Sequence, residues 1–199
     1  MLRLGLTGSI ATGKSTVLAA FADLGVPVFS SDDTVHALYR GEAVAPVEAA
    51  FPGVSHSGEI DRQDLSARLL GHPERLAQLE AIVHPLVRKR MRTFLAEAEA
   101  GGAALAVIDV PLLFETGFDY GLDKVVVTIV DEAEQRRRAL ARPGMSVEKL
   151  AAILARQMPQ AEKAKRADYV IDTSGSIEAT RQVVATLAAE LAELAAGEN

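Results

Sequence analysis

The residues from Gly8 to Thr16 carry the clearest chemical signal in the chain. They read Gly-Ser-Ile-Ala-Thr-Gly-Lys-Ser-Thr, match the pattern G-x-x-x-x-G-K-[ST] at every position, and follow the apolar run 2–6. A strand that turns through glycines into a helix N-terminus aims backbone N–H groups and the positive end of the helix dipole at one concavity, which suits phosphate oxygens. The alternative is a glycine-rich turn that binds nothing. The complete pattern after a strand predicts a nucleoside triphosphate site.

The motif gives its residues separate tasks. Its glycines permit backbone angles that a Cβ would block, so that successive N–H groups can face the phosphates. The ammonium of Lys14 would reach the β- and γ-phosphates, and the hydroxyl of Ser15 would hold Mg²⁺. The predicted nucleotide-binding residues are Gly8, Ala11, Thr12, Gly13, Lys14, Ser15 and Thr16.

Two carboxylates follow the second apolar run. Ser30-Ser31-Asp32-Asp33 comes directly after residues 26–29, and in an open parallel sheet ligands gather beside the carboxyl ends of the strands. A carboxylate there can accept a hydrogen bond from an incoming hydroxyl and align it on the γ-phosphorus. Alternatively, an aspartate here only caps a helix that begins near Thr34. With two in tandem, we expect one capping and one catalytic aspartate.

An arginine-rich run lies between residues 135 and 144. Arg138 and Arg142 are four residues apart and would share one face of any helix, and Pro143-Gly144 permits a bend before a further helix that begins near Ser146. A basic element on such a hinge is typical of a lid that closes over ATP, excludes water and delivers guanidinium groups. The alternative is a solvated helix face. We expect a small helical lid at about residues 133–148.

Apolar strands and helices alternate along the chain. The strand candidates are Leu2–Thr7, Val26–Phe29, Ala104–Val110, Lys124–Val130 and Tyr169–Asp172, with a helix from Ser15 to Leu24 after the first. Repeated strand–helix–strand units predict a parallel sheet with helices on both faces. The chain therefore belongs to the α/β class.

The segment 61–100 breaks this alternation. Residues 61–70, 73–83 and 86–98 read as successive helices, and His84-Pro85 marks a boundary between the last two. We interpret them as a helical insertion that encloses an acceptor substrate at the carboxyl end of the sheet; the alternative is an elaborated structural crossover. The nucleotide-binding core would then comprise residues 1–60 and 101–199.

Composition excludes several classes of protein. The chain has 199 residues, of which 49% are hydrophobic and 24% charged, and a formal net charge of −6, which argues against nucleic acid or an anionic membrane as a partner. There is no cysteine, so disulfides and thiolate chemistry are excluded. No run is apolar enough for a secretory or membrane-spanning segment, and we expect a soluble cytoplasmic protein. The only asparagine is Asn199, which excludes an Asn-Lys-x-Asp guanine reader and thus a GTPase.

From Leu4 to Gly175 the chain resembles the dephospho-CoA kinase family. The similarity rests on Leu6-Thr7-Gly8-Ser9-Ile10 with Gly13-Lys14-Ser15-Thr16-Val17, Ser31-Asp32 with His36, His84-Pro85-Leu86-Val87, Asp109 through Gly117, Gln135 with Arg138 and Arg142, Arg156-Gln157-Met158, Lys163, and Ala167 through Asp172. The P-loop by itself identifies only a superfamily, whereas the Pro-Leu-Leu-Phe-Glu block and the His-Pro element in the correct order are specific. The chain departs from the family in Ser30 and Asp33, in Thr173 where the family has asparagine, and in Ser9 and Ala11-Thr12 within the P-loop.

The resemblance implies a P-loop kinase of three α/β/α layers with a five-stranded parallel sheet, a helical acceptor-binding insertion and a small lid. It implies transfer of the ATP γ-phosphoryl to the 3′-hydroxyl of dephospho-CoA, with Mg²⁺ as cofactor. The implied catalytic residues are Asp32, Lys14, Arg138 and Arg142; the acceptor-binding residues are Asp32, His84, Leu112, Leu113 and Phe114; and the metal ligands are Ser15 and Asp109. The partners would be ATP and dephospho-CoA, with no nucleic acid or membrane, and the protein would be a monomer or weak homo-oligomer.

Several alternatives remain open at the level of the sequence. His84 could be a structural histidine, Leu112–Phe114 could be ordinary core, and Glu115 could only cap or pair locally while Asp109 orders its loop. The basic residues of the insertion, 88–92, could meet the acceptor pyrophosphate or form a solvated face. The competing functions are another P-loop kinase of a nucleotide or small alcohol, and a non-catalytic ATP-binding module.

Overall fold

The computed structural model describes residues 1–197, so the last two residues of the expected core lie outside the described part. The strands are β1 (Leu2–Gly8), β2 (Val28–Ser30), β3 (Ser55–His56), β4 (Glu59–Ile60), β5 (Leu105–Asp109), β6 (Lys124–Ile129) and β7 (Tyr169–Asp172). The helices are α1 (Lys14–Asp23), α2 (Ser31–Leu38), α3 (Val44–Ala50), α4 (Arg62–Leu69), α5 (Pro73–Ala100), α6 (Glu132–Leu140), α7 (Val147–Leu154), α8 (Gln160–Arg166) and α9 (Ile177–Gly197). The five strands expected from the apolar runs form close to their predicted limits.

The main sheet has the strand order β2-β5-β1-β6-β7. Strand β1 lies in the middle and pairs in parallel with β5 and β6, and β6 pairs in parallel with β7. The register places Leu6 of β1 opposite Asp109 of β5. The carboxyl end of β5 therefore lies beside the end of β1, where the Gly8–Thr16 motif begins.

The two faces of β1 are covered differently. Leu2, Leu4 and Leu6 point to one face and form a buried cluster with residues of α1 and α9, among them Phe21 and Leu191. On the other face, a Cβ built on Gly5 would come within 2.5 Å of Cδ1 of Leu122, so the Leu122 side chain packs closely over this glycine. Strands that are apolar on both faces are typical of a parallel sheet covered on both sides.

Residues 30–97 form a second compact unit, and residues 1–29 with 98–199 form the first. The second unit contains α2, α3, the antiparallel β3–β4 hairpin, α4 and most of α5, and it has its own apolar cluster. The unit begins at residue 30, well before residue 61, which is the predicted start of the helical insertion. The reason is packing: Leu38 of α2 and Val47 of α3 are buried in the same cluster as Leu65 and Leu79.

The predicted helix boundary at His84-Pro85 is wrong. Helix α5 is 28 residues long, and Pro85 lies inside it. A proline inside a helix removes one hydrogen bond and crowds the preceding turn, at a cost of about 3 kcal/mol. Apolar burial on both sides of the proline opposes that cost: Leu79 and Val83 before it are buried, and so are Met91 and Leu95 after it. Tertiary packing therefore overrides the local signal.

Within residues 1–197, no helix combines the length and the apolarity that crossing a membrane requires.

Candidate active site

The turn between β1 and α1 is shaped by glycines for two different reasons. Gly13 has φ +80°, a left-handed conformation that favours glycine. Gly8 is needed for space, because a Cβ there would lie 2.1 Å from Oγ1 of Thr128 and 2.6 Å from Oγ1 of Thr12. The motif predicts that both glycines serve unusual backbone angles, and this is right for Gly13 only.

Buried threonine hydroxyls fix this turn to the sheet. Oγ1 of Thr12 donates to the carbonyl oxygen of Ser9 at 2.8 Å and lies 2.7 Å from Oγ1 of Thr128. From the end of β7, Oγ1 of Thr173 lies 3.0 Å from the carbonyl oxygen of Thr12. Hydrogen bonds to Thr128 and Thr173 thus tie Thr12, in the middle of the motif, to the ends of β6 and β7.

Ala11 is an unusual residue at its position. Its φ is +62°, although it has a Cβ. The residue is buried in a small apolar cluster with Ala139 of α6 and Leu150 of α7. This cluster joins the turn to the two helices that flank the predicted lid hinge.

The structure brings together two predicted site residues that are far apart in the sequence. Nζ of Lys14 lies 2.5 Å and 2.6 Å from the two carboxylate oxygens of Asp109. Both side chains are largely buried, with 17% and 5% exposure respectively. Ser15, the other predicted metal ligand, is exposed in the first turn of α1. The ammonium predicted to bind phosphate and the carboxylate predicted to bind metal are therefore neighbours at the carboxyl end of the sheet.

Arg138 points toward the same turn. Its Nε lies 2.7 Å from Oε1 of Glu134, and its Nη2 donates to the carbonyl oxygen of Thr173 at 2.9 Å. Hydrogen bonds from Arg137 and Arg138 lower the pKa of Glu134 to about 2, so this carboxylate stays ionised and orients the guanidinium groups.

Arg142 does not share a helix face with Arg138, and that expectation is wrong. Helix α6 ends at Leu140, and Arg142 lies in the following turn, where it is exposed. The bend therefore begins before Pro143.

In the turn between β2 and α2, the helix cap is a serine and not the expected aspartate. Helix α2 begins at Ser31, and its cap is Ser30, whose Oγ accepts a hydrogen bond from the N–H of Asp33 at 3.1 Å. Asp32 and Asp33 both lie in the first helical turn and are exposed. Neither carboxylate is needed as the cap, because the serine already fills that role.

Asp32 also lines a groove of about 520 Å³ inside the second unit. Helices α2 and α4 supply most of the wall, and Arg62 adds a cation. Burial raises the pKa of Tyr39, which keeps this phenol neutral. The groove offers an apolar wall with one carboxylate and one guanidinium, and its other lining residues are Val35, His36, Leu65, Ser66, Leu69 and Leu79.

The remaining predicted acceptor residues lie in different environments. His84 is exposed on α5 in the second unit. In the loop after β5, Leu112 is exposed, Leu113 is buried and Phe114 is half-buried. Ordinary core packing therefore accounts for Leu113, whereas Leu112 presents an apolar side chain to solvent.

Three glutamines and one buried ion pair have structural roles that the sequence did not predict. Glu115 pairs with Lys163 of α8 rather than with a local partner. Gln135, Gln157 and Gln160 hydrogen bond to one another or to the backbone around the Gly8–Thr16 motif. No periodicity or spacing singles these residues out, since lysines and glutamines are ordinarily solvated.

The sheet order, the glycine turn and the Lys14–Asp109 contact define a P-loop kinase. A shikimate kinase from Bacteroides thetaiotaomicron shares this fold, with a TM-score of 0.53 at 20% identity over 94% of this chain and 97% of that one. A family model described as dephospho-CoA kinase matches residues 2–179. The chain belongs to the dephospho-CoA kinase family and is accordingly an ATP-dependent kinase.

Individual relatives agree with this membership. The dephospho-CoA kinase of Rhizobium meliloti (strain 1021) is 54% identical over 191 residues, which cover 96% of this chain and 98% of that protein. The dephospho-CoA kinase of Brucella melitensis is 52% identical over 94% of both chains. Among solved structures, a Thermus thermophilus protein has a TM-score of 0.81 at 36% identity, covering 96% of this chain and 97% of its own. A dephospho-CoA kinase from Campylobacter jejuni has a TM-score of 0.66 at 25% identity, covering 95% and 96%.

Proposed function

We propose that this chain transfers the γ-phosphoryl group of ATP to the 3′-hydroxyl of dephospho-CoA, giving coenzyme A and ADP in the last step of coenzyme A biosynthesis. The observation that carries the proposal is the contact between Lys14 and Asp109, which joins the phosphate-binding cation to the metal-binding carboxylate. The names of the relatives point to the acceptor.

The nucleotide binds through main-chain amides and one ammonium. Residues Gly8 and Ala11–Thr16 surround the phosphates, and the helix dipole of α1 favours their negative charge. Lys14 exchanges part of its contact with Asp109 for the β- and γ-phosphate oxygens. This exchange costs little, because one anionic partner replaces another.

Mg²⁺ is the proposed cofactor, and the donor set fits it. The hydroxyl of Ser15 and the carboxylate of Asp109 offer the hard oxygen ligands that this ion prefers. When bound, the ion neutralises charge on the β- and γ-phosphates. Asp109 serves two cations in this proposal, the metal and Lys14.

Asp32 aligns and deprotonates the acceptor hydroxyl. Its exposed carboxylate accepts the proton of the 3′-hydroxyl while the hydroxyl oxygen forms a bond to the γ-phosphorus, the bond to the β,γ-bridging oxygen breaks, and ADP leaves. Phosphoryl transfer is largely dissociative, so alignment of the hydroxyl matters more than strong basicity. Arg138 and Arg142 stabilise the transferring phosphoryl from a lid at about residues 133–148.

The second compact unit, residues 30–97, binds the acceptor with His84 as a contact, and Leu112 and Phe114 of the loop after β5 are further contacts. The first compact unit forms the nucleotide-binding core. The enzyme works in the cytoplasm as a monomer or weak homo-oligomer, with no nucleic acid or membrane partner. The net charge of −6 supports the exclusion of polyanionic partners.

A coupled ADP-release assay across candidate acceptors tests the proposal. We expect saturation at low concentration with dephospho-CoA alone, and a product that carries a new 3′-phosphate by ³¹P NMR. Turnover with a nucleoside monophosphate or a small alcohol instead would favour a different P-loop kinase. ATP binding without acceptor-dependent turnover would favour a non-catalytic module.

A further inference from the structure

A buried ion pair lies outside the proposed catalytic residues. The side chain of Lys163 has 0% exposure, and its Nζ lies 2.8 Å from Oε1 of Glu115 and 3.4 Å from the carbonyl oxygen of Pro111. Well-packed apolar residues of similar volume often stabilise a fold as well as a buried ion pair or better. Stability alone therefore does not explain why charges occupy this position.

Glu115 connects this pair to the segment that follows α7. Its Oε1 also accepts a hydrogen bond from the N–H of Met158 at 2.8 Å. Its Oε2 is buried and has no hydrogen-bond partner among the residues that the structure describes. One oxygen thus holds both donors, so the positions of Lys163 and Met158 depend on each other.

The same segment contacts the P-loop on its other side. The N–H of Ile10 donates to Oε1 of Gln157 at 2.9 Å, and Oγ of Ser9 donates to the carbonyl oxygen of Met158 at 3.5 Å. Both contacts fall on P-loop residues that precede the phosphate-binding amides of the α1 N-terminus.

A second set of hydrogen bonds holds the carbonyl group of Ile10. Nε2 of Gln135 donates to the carbonyl oxygen of Ile10 at 2.8 Å, and Nε2 of Gln160 donates to Oε1 of Gln135 at 3.0 Å. Gln160 is itself anchored, since its Oε1 accepts from the N–H of Val130 at 2.9 Å. The N–H and the C=O of Ile10 are therefore both held by glutamine side chains.

The loop after β5 belongs to the same network. The carbonyl oxygen of Pro111 accepts hydrogen bonds from Lys163 and from Oγ1 of Thr7, at the end of β1. This loop carries Leu112–Phe114 between Pro111 and Glu115. The ion pair thus contacts both ends of that loop and, through Met158, the P-loop.

We propose that residues 157–163, which we call the brace, act with Glu115 to position the P-loop and the loop 110–117 relative to each other. Lys163 and Glu115 are positioning residues, and they touch no substrate. Displacing the brace shifts the amides that hold the ATP phosphates and the loop that is proposed to contact the acceptor. The acceptor half of this inference rests on the proposed function, whereas the ATP half does not.

The first experiment compares two lysines of α8. Lys163→Met removes the buried charge, and Lys165→Met is the matched control, because Lys165 is exposed and pairs with Glu162 of its own helix. ATP affinity is measured by calorimetric titration, and KM and kcat are measured for each substrate on protein whose fold is checked by near-ultraviolet circular dichroism. For Lys163→Met we expect kcat/KM to fall about 10²-fold for both substrates and the Kd for ATP to rise, as misplacement distant from the chemistry can cost that much.

A double variant keeps the inference testable if Lys163→Met fails to fold. Glu115→Gln with Lys163→Met leaves no unpaired charge in the interior, so we expect it to fold, yet it lacks the contact that ties the brace to Pro111. We expect its kcat/KM to remain at least about tenfold below that of the unmodified protein. A third variant, Gln157→Leu, removes only the contact with Ile10, and we expect it to weaken ATP binding with little change in KM for the acceptor.

The outcomes separate the two proposals. If the folded double variant binds ATP normally and has both KM values within about twofold of the unmodified protein, the pair is only structural and the inference is wrong. If dephospho-CoA is not phosphorylated at all, the proposed function fails. The ATP titrations then still decide whether the brace positions the P-loop.

Discussion

Among the strand-to-helix turns of the main sheet, the first and the second, which follow β1 and β2, are capped in opposite ways. At the start of α1, Gly13 takes the cap position and offers no side-chain hydrogen bond. At the start of α2, Ser30 caps the helix with its own hydroxyl, and two carboxylates fill the first turn. The first turn leaves backbone donors for an external anion, whereas the second satisfies a donor internally and presents negative charge.

The two turns also differ in burial. The first is enclosed: Thr12 is fully buried and is hydrogen bonded to Ser9 and Thr128. In the second, Asp32 and Asp33 are exposed. A site that binds phosphate through amides needs fixed geometry, and a carboxylate that receives a hydroxyl needs access. The same structural unit therefore presents backbone amides in one place and exposed carboxylates in the other, according to its cap residue and its burial.

The largest effect is expected for Arg138, which is linked to the turn after β1 through Thr173. Arg138→Ala removes the guanidinium that bonds to Thr173, and we expect kcat to fall about 10³–10⁵-fold, the range for an arginine that stabilises a transferring phosphoryl. Arg137→Ala is the matched control, because Arg137 also pairs with Glu134 but is exposed. Steady-state kinetics with saturating ATP measure both. Equal losses in the two variants would assign the effect to Glu134 instead.

At the turn after β2, substitutions of the two aspartates distinguish a catalytic role from an effect of net charge. Asp32→Asn is expected to lower kcat about 10²–10⁴-fold, as loss of a general base does. Asp33→Asn, next to it and equally exposed in α2, should retain near-normal kcat. Both changes remove one negative charge, so the difference isolates the role of position. A near-normal Asp32→Asn with an impaired Asp33→Asn would show that we have chosen the wrong base.

Filling space in the first turn tests its rigidity. Gly8→Ala places a methyl group 2.1 Å from Oγ1 of Thr128, and we expect overpacking to cost about 1–3 kcal/mol of unfolding free energy and to weaken ATP binding. Gly175→Ala is the control, because its Cβ would meet only Ala179 at 3.7 Å. Denaturant unfolding and ATP titration check the pair. Unchanged ATP affinity in Gly8→Ala would mean that the turn tolerates displacement.

The smallest effect is expected from the cap of the second turn. Ser30→Ala should cost about 1 kcal/mol of stability by removing the hydrogen bond to the N–H of Asp33. Ser176→Ala removes the equivalent bond to Ala179 at the start of α9 and should cost a similar amount. Only Ser30→Ala should also reduce kcat, since it frees the turn that carries Asp32. Equal kcat in the two variants would indicate that the cap does not orient the carboxylate.

Local sequence signals predicted a large part of the fold and part of the site. Branched aliphatic runs gave the five strands of the main sheet, and the P-loop pattern gave the turn after β1. Prediction failed where packing opposed a local signal: Pro85 lies inside α5 because apolar residues on both sides are buried. It also failed at Arg142, since the end of α6 is set by the turn at residues 141–145 and not by arginine spacing.

The sequence alone determined the P-loop, the strands and the membership of the dephospho-CoA kinase family, because each depends on residues adjacent in the chain or repeated in order. Only the tertiary structure decided that Lys14 contacts Asp109, that Lys163 pairs with Glu115, and that the second compact unit begins at residue 30. Such contacts depend on which elements the strand order and the core bring together, and a buried lysine has the same letter as a solvated one.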